Sequence, residues 1–333
     1  MKWKQIIIFY MAMALNASCS IGYKPLCNPT EHNLEDSIFQ PLWSRSDIFV
    51  LPNEYEPMII GDSTRVFVAG LDSTHGLPFI FALDSQTGNV IWKQESEVSV
   101  SMLATSTNVF VGEIDRIKIY DPETGVLFRD TYIPVGIILL RYADEKNIYA
   151  VTGHGRWLTY DINSGQVDLS EPDVYLPLFI ENGIEYRADF EGFKAVDAKT
   201  KVILWKYQLN EEINTQPIFL AQSIIFETGA DNIYVLDKNE GTLIWRSQAR
   251  IISNVAVDDS RVFFLTSEGR LSVLDVNTGS VIHSLEFSAT PFQVSTADSS
   301  IGGYYVRMNP QTKELIVSLG DTCQVMAVEF DRP

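Results

Sequence analysis

Four histidines, three cysteines and 43 carboxylates are the side chains from which this 333-residue chain could build catalytic or metal chemistry. His32, His75, His154 and His283 show none of the paired spacing that zinc sites use, so each reads as structural or exposed. No Gly-x-Ser-x-Gly elbow, P-loop or Gly-x-Gly-x-x-Gly fingerprint occurs, which leaves nucleophilic hydrolysis and nucleotide chemistry without support. The most site-like stretch is Thr152-Gly-His-Gly-Arg-Trp157, whose two glycines could let a ligand approach the backbone. It stands where each repeat places a turn between strands, and the turn reading is favoured.

The carboxylates are better explained by a repeat. Asp84, Asp121, Asp161, Asp197, Asp237 and Asp275 each end a short β-biased run, at intervals of 37, 40, 36, 40 and 38 residues. Four residues later stand Gly88, Gly125, Gly165, Gly241 and Gly279, with Lys201 in the fourth copy. Aspartate accepts backbone N–H bonds in a turn and glycine supplies a positive φ, so each copy reads as a β-hairpin. Eight residues after the aspartate come Trp92, Trp205, Trp245 and His283, while the second and third copies have Arg129 and Leu169. A bulky flat side chain at one recurrent place reads as a spacer wedged between neighbouring sheets.

A β-rich period near 40 residues predicts an all-β propeller of four-stranded antiparallel blades. The tail repeats the scheme with three strands, and Glu329 takes the aspartate place. The pair Leu42-Trp43 has no hairpin before it, so the N-terminal strand is expected to complete the last blade and close the ring. Six complete copies and one composite predict seven blades in a single domain over residues 42–333.

Residues 1–20 carry Lys2 and Lys4, an apolar run over residues 6 to 15, and small residues up to Ser20. This is the order of an export signal, too short to span a bilayer. The stretch Leu15-Asn-Ala-Ser-Cys19 resembles a lipobox with its leucine displaced by one residue, which makes Cys19 the candidate for lipidation. Residues 21–41 read as a tether. Without the two leading lysines the chain carries 23 basic against 43 acidic residues, net −20. Such a charge repels nucleic acid and anionic headgroups, so membrane contact is expected only through a lipid anchor. Export permits a disulfide, and closure of the ring makes Cys27 and Cys323 its candidates.

Phe81-Ala-Leu-Asp-Ser-Gln-Thr-Gly-Asn-Val-Ile-Trp92 and Tyr234-Val-Leu-Asp-Lys-Asn-Glu-Gly-Thr-Leu-Ile-Trp245 resemble the tryptophan-docking repeat of the pyrroloquinoline quinone (PQQ)-like β-propellers. That family includes quinoprotein dehydrogenases and a propeller lipoprotein of outer-membrane β-barrel assembly. The dehydrogenases use two adjacent cysteines and a calcium held beside a catalytic aspartate. Here no two cysteines are adjacent, and no catalytic, cofactor-binding or metal residue can be carried over. With the N-terminal signal and Cys19, the repeat leads to the expectation of an exported, lipid-anchored scaffold at the cell envelope, monomeric and without cofactor, that binds a protein or extended ligand and is more readily a non-enzyme. Two alternatives stay open: an oxidoreductase-like protein using PQQ with calcium, and an accessory subunit of outer-membrane protein assembly.

Overall fold

The computed structural model describes residues 39–50, 59–61, 64–72, 77–96, 101–153, 156–170, 179–189, 192–211, 213, 217–228, 230–286, 305–308, 314–319 and 324–330. Cys19, Cys27 and Cys323, and with them the lipidation and disulfide expectations, lie outside these residues, as do the export signal and the tether's residues 21–38.

The described secondary structure is β-strand throughout, in antiparallel pairs, and each repeat copy follows one plan. In the fifth copy, Ile218–Phe219, Ser223–Thr228, Asn232–Asp237 and Leu243–Gln248 lie side by side in that order. The two middle strands are buried nearly end to end because a neighbouring sheet covers each of their faces. The outer strand Leu243–Gln248 alternates, with only Trp245 fully covered.

The ring closes through its N-terminal strand. Phe39–Arg45 pairs with Gln324–Phe330 and so becomes the fourth strand of the last sheet, beside Glu314–Leu319 and Tyr305–Met308. Trp43, Ile316, Val325 and Ala327 then share one apolar cluster with Phe67 and Phe81 of the first copy.

The strands form six sheets, and the expectation of seven blades is corrected to six. The second and third copies run together into one six-stranded sheet. Its joining strand, Leu127–Ala143, spans 17 residues. Its first part pairs back on Val109–Tyr120 and its last part pairs forward on Asn147–Thr152. Around the junction, Gly136 at φ 77° donates its N–H to the Asp115 carboxylate. The Ser101 hydroxyl donates to the Ile138 carbonyl at 3.0 Å and accepts the Leu140 N–H at 2.9 Å. These bonds keep the chain extended where a blade-to-blade loop is expected.

Candidate functional site

The repeated hairpin positions its own side chains first. Asp84 Oδ1 accepts the N–H groups of Gln86 and Thr87 at 3.1 and 2.8 Å, and the Thr87 hydroxyl at 2.8 Å. The same bonds recur at Asp121, Asp161, Asp197 and Asp275, and Asp237 accepts two backbone N–H groups. They hold the carboxyls of Asp84, Asp121, Asp161 and Asp197 below the ordinary aspartate range. The Thr87 hydroxyl contributes most at Asp84, and the N–H of Thr124, Ser164 and Thr200 contributes most at the other three.

A depressed folded value adds stability that is present above the unfolded pKa of about 3.9 and is lost as pH falls through the folded values. The melting temperature is therefore expected to drop on acidification below about pH 4. Asp84→Asn retains an acceptor oxygen without this titration, and in a pH series of thermal melts it should show a shallower acid slope than the parent.

Five of these six turns also receive the outer-strand side chain of the preceding copy. Trp43 Nε1 donates to the Ser85 carbonyl at 2.6 Å, Trp92 to Pro122 at 3.0 Å, Trp205 to Lys238 at 3.1 Å and Trp245 to Val276 at 2.7 Å. In every case the acceptor is the residue after the turn aspartate. The indole ring lies on the turn glycine, at Gly88, Gly125, Gly241 and Gly279. Arg129 takes the same role in the second copy, reaching the Asn163 carbonyl at 2.9 Å across Gly165. Seen in sequence, Arg129 is a departure from the repeat, and only its partner reveals the shared role.

The relay stops between the third and fourth copies. There the outer strand offers Leu169 and the receiving turn has Lys201, at φ 61°, in place of glycine. The two departures belong together, since a turn that receives no ring has room for a side chain. Lys201 instead reaches Glu185 Oε1 at 2.6 Å, and Arg187 pairs with the other carboxylate oxygen. Among the described residues, apolar clusters join all other neighbouring copies, but none joins these two.

At this seam lies a cavity of about 270 Å³ lined by Tyr142, Tyr149, Trp157, Asp168, Ile180 and Glu185, with Thr159 and Ser170. Cross-strand register builds its wall, pairing Tyr149 with both Tyr142 and Thr159, and Thr159 with Asp168. The rings of Tyr142 and Tyr149 stack with centroids 4.3 Å apart, and Trp157 leans on both at 6.4 and 6.5 Å. Burial foremost, then nearby negative charge, pushes both tyrosine hydroxyls up from their ordinary value. Of the loop beginning at Thr152, Trp157 enters this wall, and Arg156 Nε donates to the Ser170 carbonyl at 2.9 Å. His154 and Gly155 lie outside the described residues.

Two polar clusters elsewhere are held by their own partners. Glu211 accepts from Thr228, Asn232, Tyr234 and Arg246, pinning its loop to the fifth copy, and its proximity helps burial push the Tyr234 hydroxyl up to about 12. Buried Glu113 is neutralised by Lys118 at 2.8 Å. Among the described residues no three of His, Cys, Asp and Glu come together as metal ligands.

The outer rim is the other surface of note. Most outer strands end their sheets, and the 127–132 part of Leu127–Ala143 pairs only with Val109–Tyr120. Several show exposed apolar residues just before the docking position, such as Val90 and Ile91, Ile203 and Leu204, and Val281 and Ile282. The second copy goes further. Val126, Leu127, Phe128 and Tyr132 are all exposed there, the two aromatics by 61% and 63%.

Docked tryptophans on Asp-x-x-x-Gly turns, repeated around antiparallel sheets, define a β-propeller of PQQ-like repeats, similar to the propellers of outer-membrane assembly. A family model described as outer membrane protein assembly factor BamB matches residues 179–330. The chain is 28% identical over 71 residues to outer membrane protein assembly factor BamB of Francisella salina, and 27% identical over 71 residues to that of Francisella tularensis subsp. tularensis. Each match covers 21% of this chain but only 14% and 16% of those proteins' lengths. Among solved structures, BamB from Moraxella catarrhalis covers 89% of this chain and 99% of its own, with a TM-score of 0.54 at 15% identity. The Cps50 (Swd1) β-propeller domain of Myceliophteria thermophila covers 88% and 100%, with a TM-score of 0.66 at 12% identity. At such identities the likeness is one of fold, and function has to be argued from the surface.

Proposed function

We propose that this protein is a non-catalytic binding scaffold at the cell envelope that engages a protein partner as an accessory of outer-membrane protein assembly. The observation that carries the reading is the first part of the strand Leu127–Ala143, where Phe128 and Tyr132 stand in solvent and the register over residues 127–132 pairs with Val109–Tyr120 alone. A contiguous exposed apolar patch marks an interaction surface, and an open edge offers main-chain hydrogen bonds to an extended segment of the partner. Arg116 holds the patch in shape, bonding Asp130 at 2.8 Å and lying 5.8 Å over the Tyr132 ring. The matches to outer membrane assembly factors support the setting. The order of Lys2, Lys4, the apolar run and Cys19 supports delivery there with a lipid anchor.

The test is affinity capture from the native membrane with Phe128→Asp and Tyr132→Asp. Both positions are exposed, so stability should stay within about 0.5 kcal/mol of the parent. Assembly proteins that accompany the parent are expected to be lost from both variants. Retention of those partners by both variants would remove this surface from the reading.

A further inference from the structure

We propose that the cleft between the third and fourth repeat copies binds a cationic side chain presented by a protein partner, seated against Tyr142, Tyr149 and Trp157 with Asp168 beside it.

Four observations converge on this seam. Among the described residues no docking side chain crosses it and no apolar cluster joins its two copies, so that beside the Tyr142–Phe179 ring contact at 6.1 Å the copies meet across a cavity. Three aromatic rings line that cavity, and aromatic faces attract ammonium and guanidinium groups within about 6 Å through their quadrupole. Among the described residues no lysine or arginine lies over any of the three rings. The charged side chains of the lining are both carboxylates. Glu185 is neutralised by Arg187 and Lys201, whereas Asp168 is exposed and forms no ion pair among the described residues.

Size narrows the occupant. At about 270 Å³ the cavity falls below the range of roughly 300–1,000 Å³ usual for whole small-molecule ligands, and suits one side chain. The acidic chain, at net −18, favours approach of a basic segment. The inference rests on the protein-binding reading only for the carrier of the charge.

Titration calorimetry on the full chain tests it with N-acetyl-arginine amide, N-acetyl-lysine amide, the uncharged N-acetyl-citrulline amide, and maltose as a neutral stacking ligand. Saturable binding by the arginine or lysine probe is expected, with citrulline at least about tenfold weaker, the size of a cation–π contact with a nearby carboxylate. Asp168→Asn and Tyr149→Leu should each weaken the cationic probe by about three- to tenfold. The exposed Asp168 site keeps the test valid should the Tyr149 variant fail to fold, which thermal melting reads directly. Lack of saturable binding by both cationic probes, equal binding of citrulline or maltose, or indifference to Asp168→Asn would overturn the proposal. Because the probes need no partner, these outcomes are independent of whether Phe128→Asp releases the assembly proteins.

Discussion

Removing residues 39 to 45 is expected to yield an aggregating protein that melts earlier than the parent. That strand covers one edge of Gln324–Phe330, whose Val325, Met326, Ala327 and Val328 are all buried. Without it the last sheet presents unpaired backbone groups beside an uncovered apolar strand, a template for association with other chains. The milder variant Trp43→Ala leaves the strand but removes a side chain only 8% exposed together with its bond to Ser85. Large-to-small changes of this kind cost about 3–5 kcal/mol. Size-exclusion chromatography and thermal melting check both, and a truncated protein that elutes like the parent with the parent's melting temperature would show that closure lies elsewhere.

Gly279→Ala is expected to destabilise by more than backbone strain alone. The position has φ +69°, where a non-glycine residue costs about 1–2 kcal/mol. A Cβ there would also stand 2.7 Å from the Trp245 ring, and overpacking of this sort costs a further 1–3 kcal/mol or so. Gly183 provides the control, since it has φ +77° with nothing within 4 Å of an added Cβ. Gly183→Ala should show the conformational cost and little more. Chemical denaturation of the pair separates the two effects, and equal losses would mean that the indole does not press on the turn. Lys201 is a native instance of the tolerated case, with a side chain at φ 61° where no ring is received.

The hairpin repeat was legible from residue order because its determinants are local. An aspartate and a glycine four residues on fix the turn through bonds within one copy, as at Asp275, Gly279 and the N–H groups between them. Even the closing role of Leu42-Trp43 could be read, since a lone outer strand must find a sheet that lacks one. The number of sheets could not. It turned on whether the chain breaks between the second and third copies, and that was settled by Gly136 meeting Asp115 and Ser101 meeting Ile138, contacts made only once the strands lie together.

The cavity was likewise hidden. Its walls come from six strands, and Tyr142, Tyr149, Trp157 and Asp168 become neighbours only through cross-strand register and stacking. The sequence by itself determined the β-hairpin unit, the recurrence of its docking positions and the copies that lack a tryptophan there. Tertiary structure decided that Arg129 replaces a tryptophan, that Leu169 and Lys201 are one compensated change, and that an aromatic cleft opens there. Spacing along the chain encodes a turn, whereas packing between sheets depends on side chains that share no spacing at all.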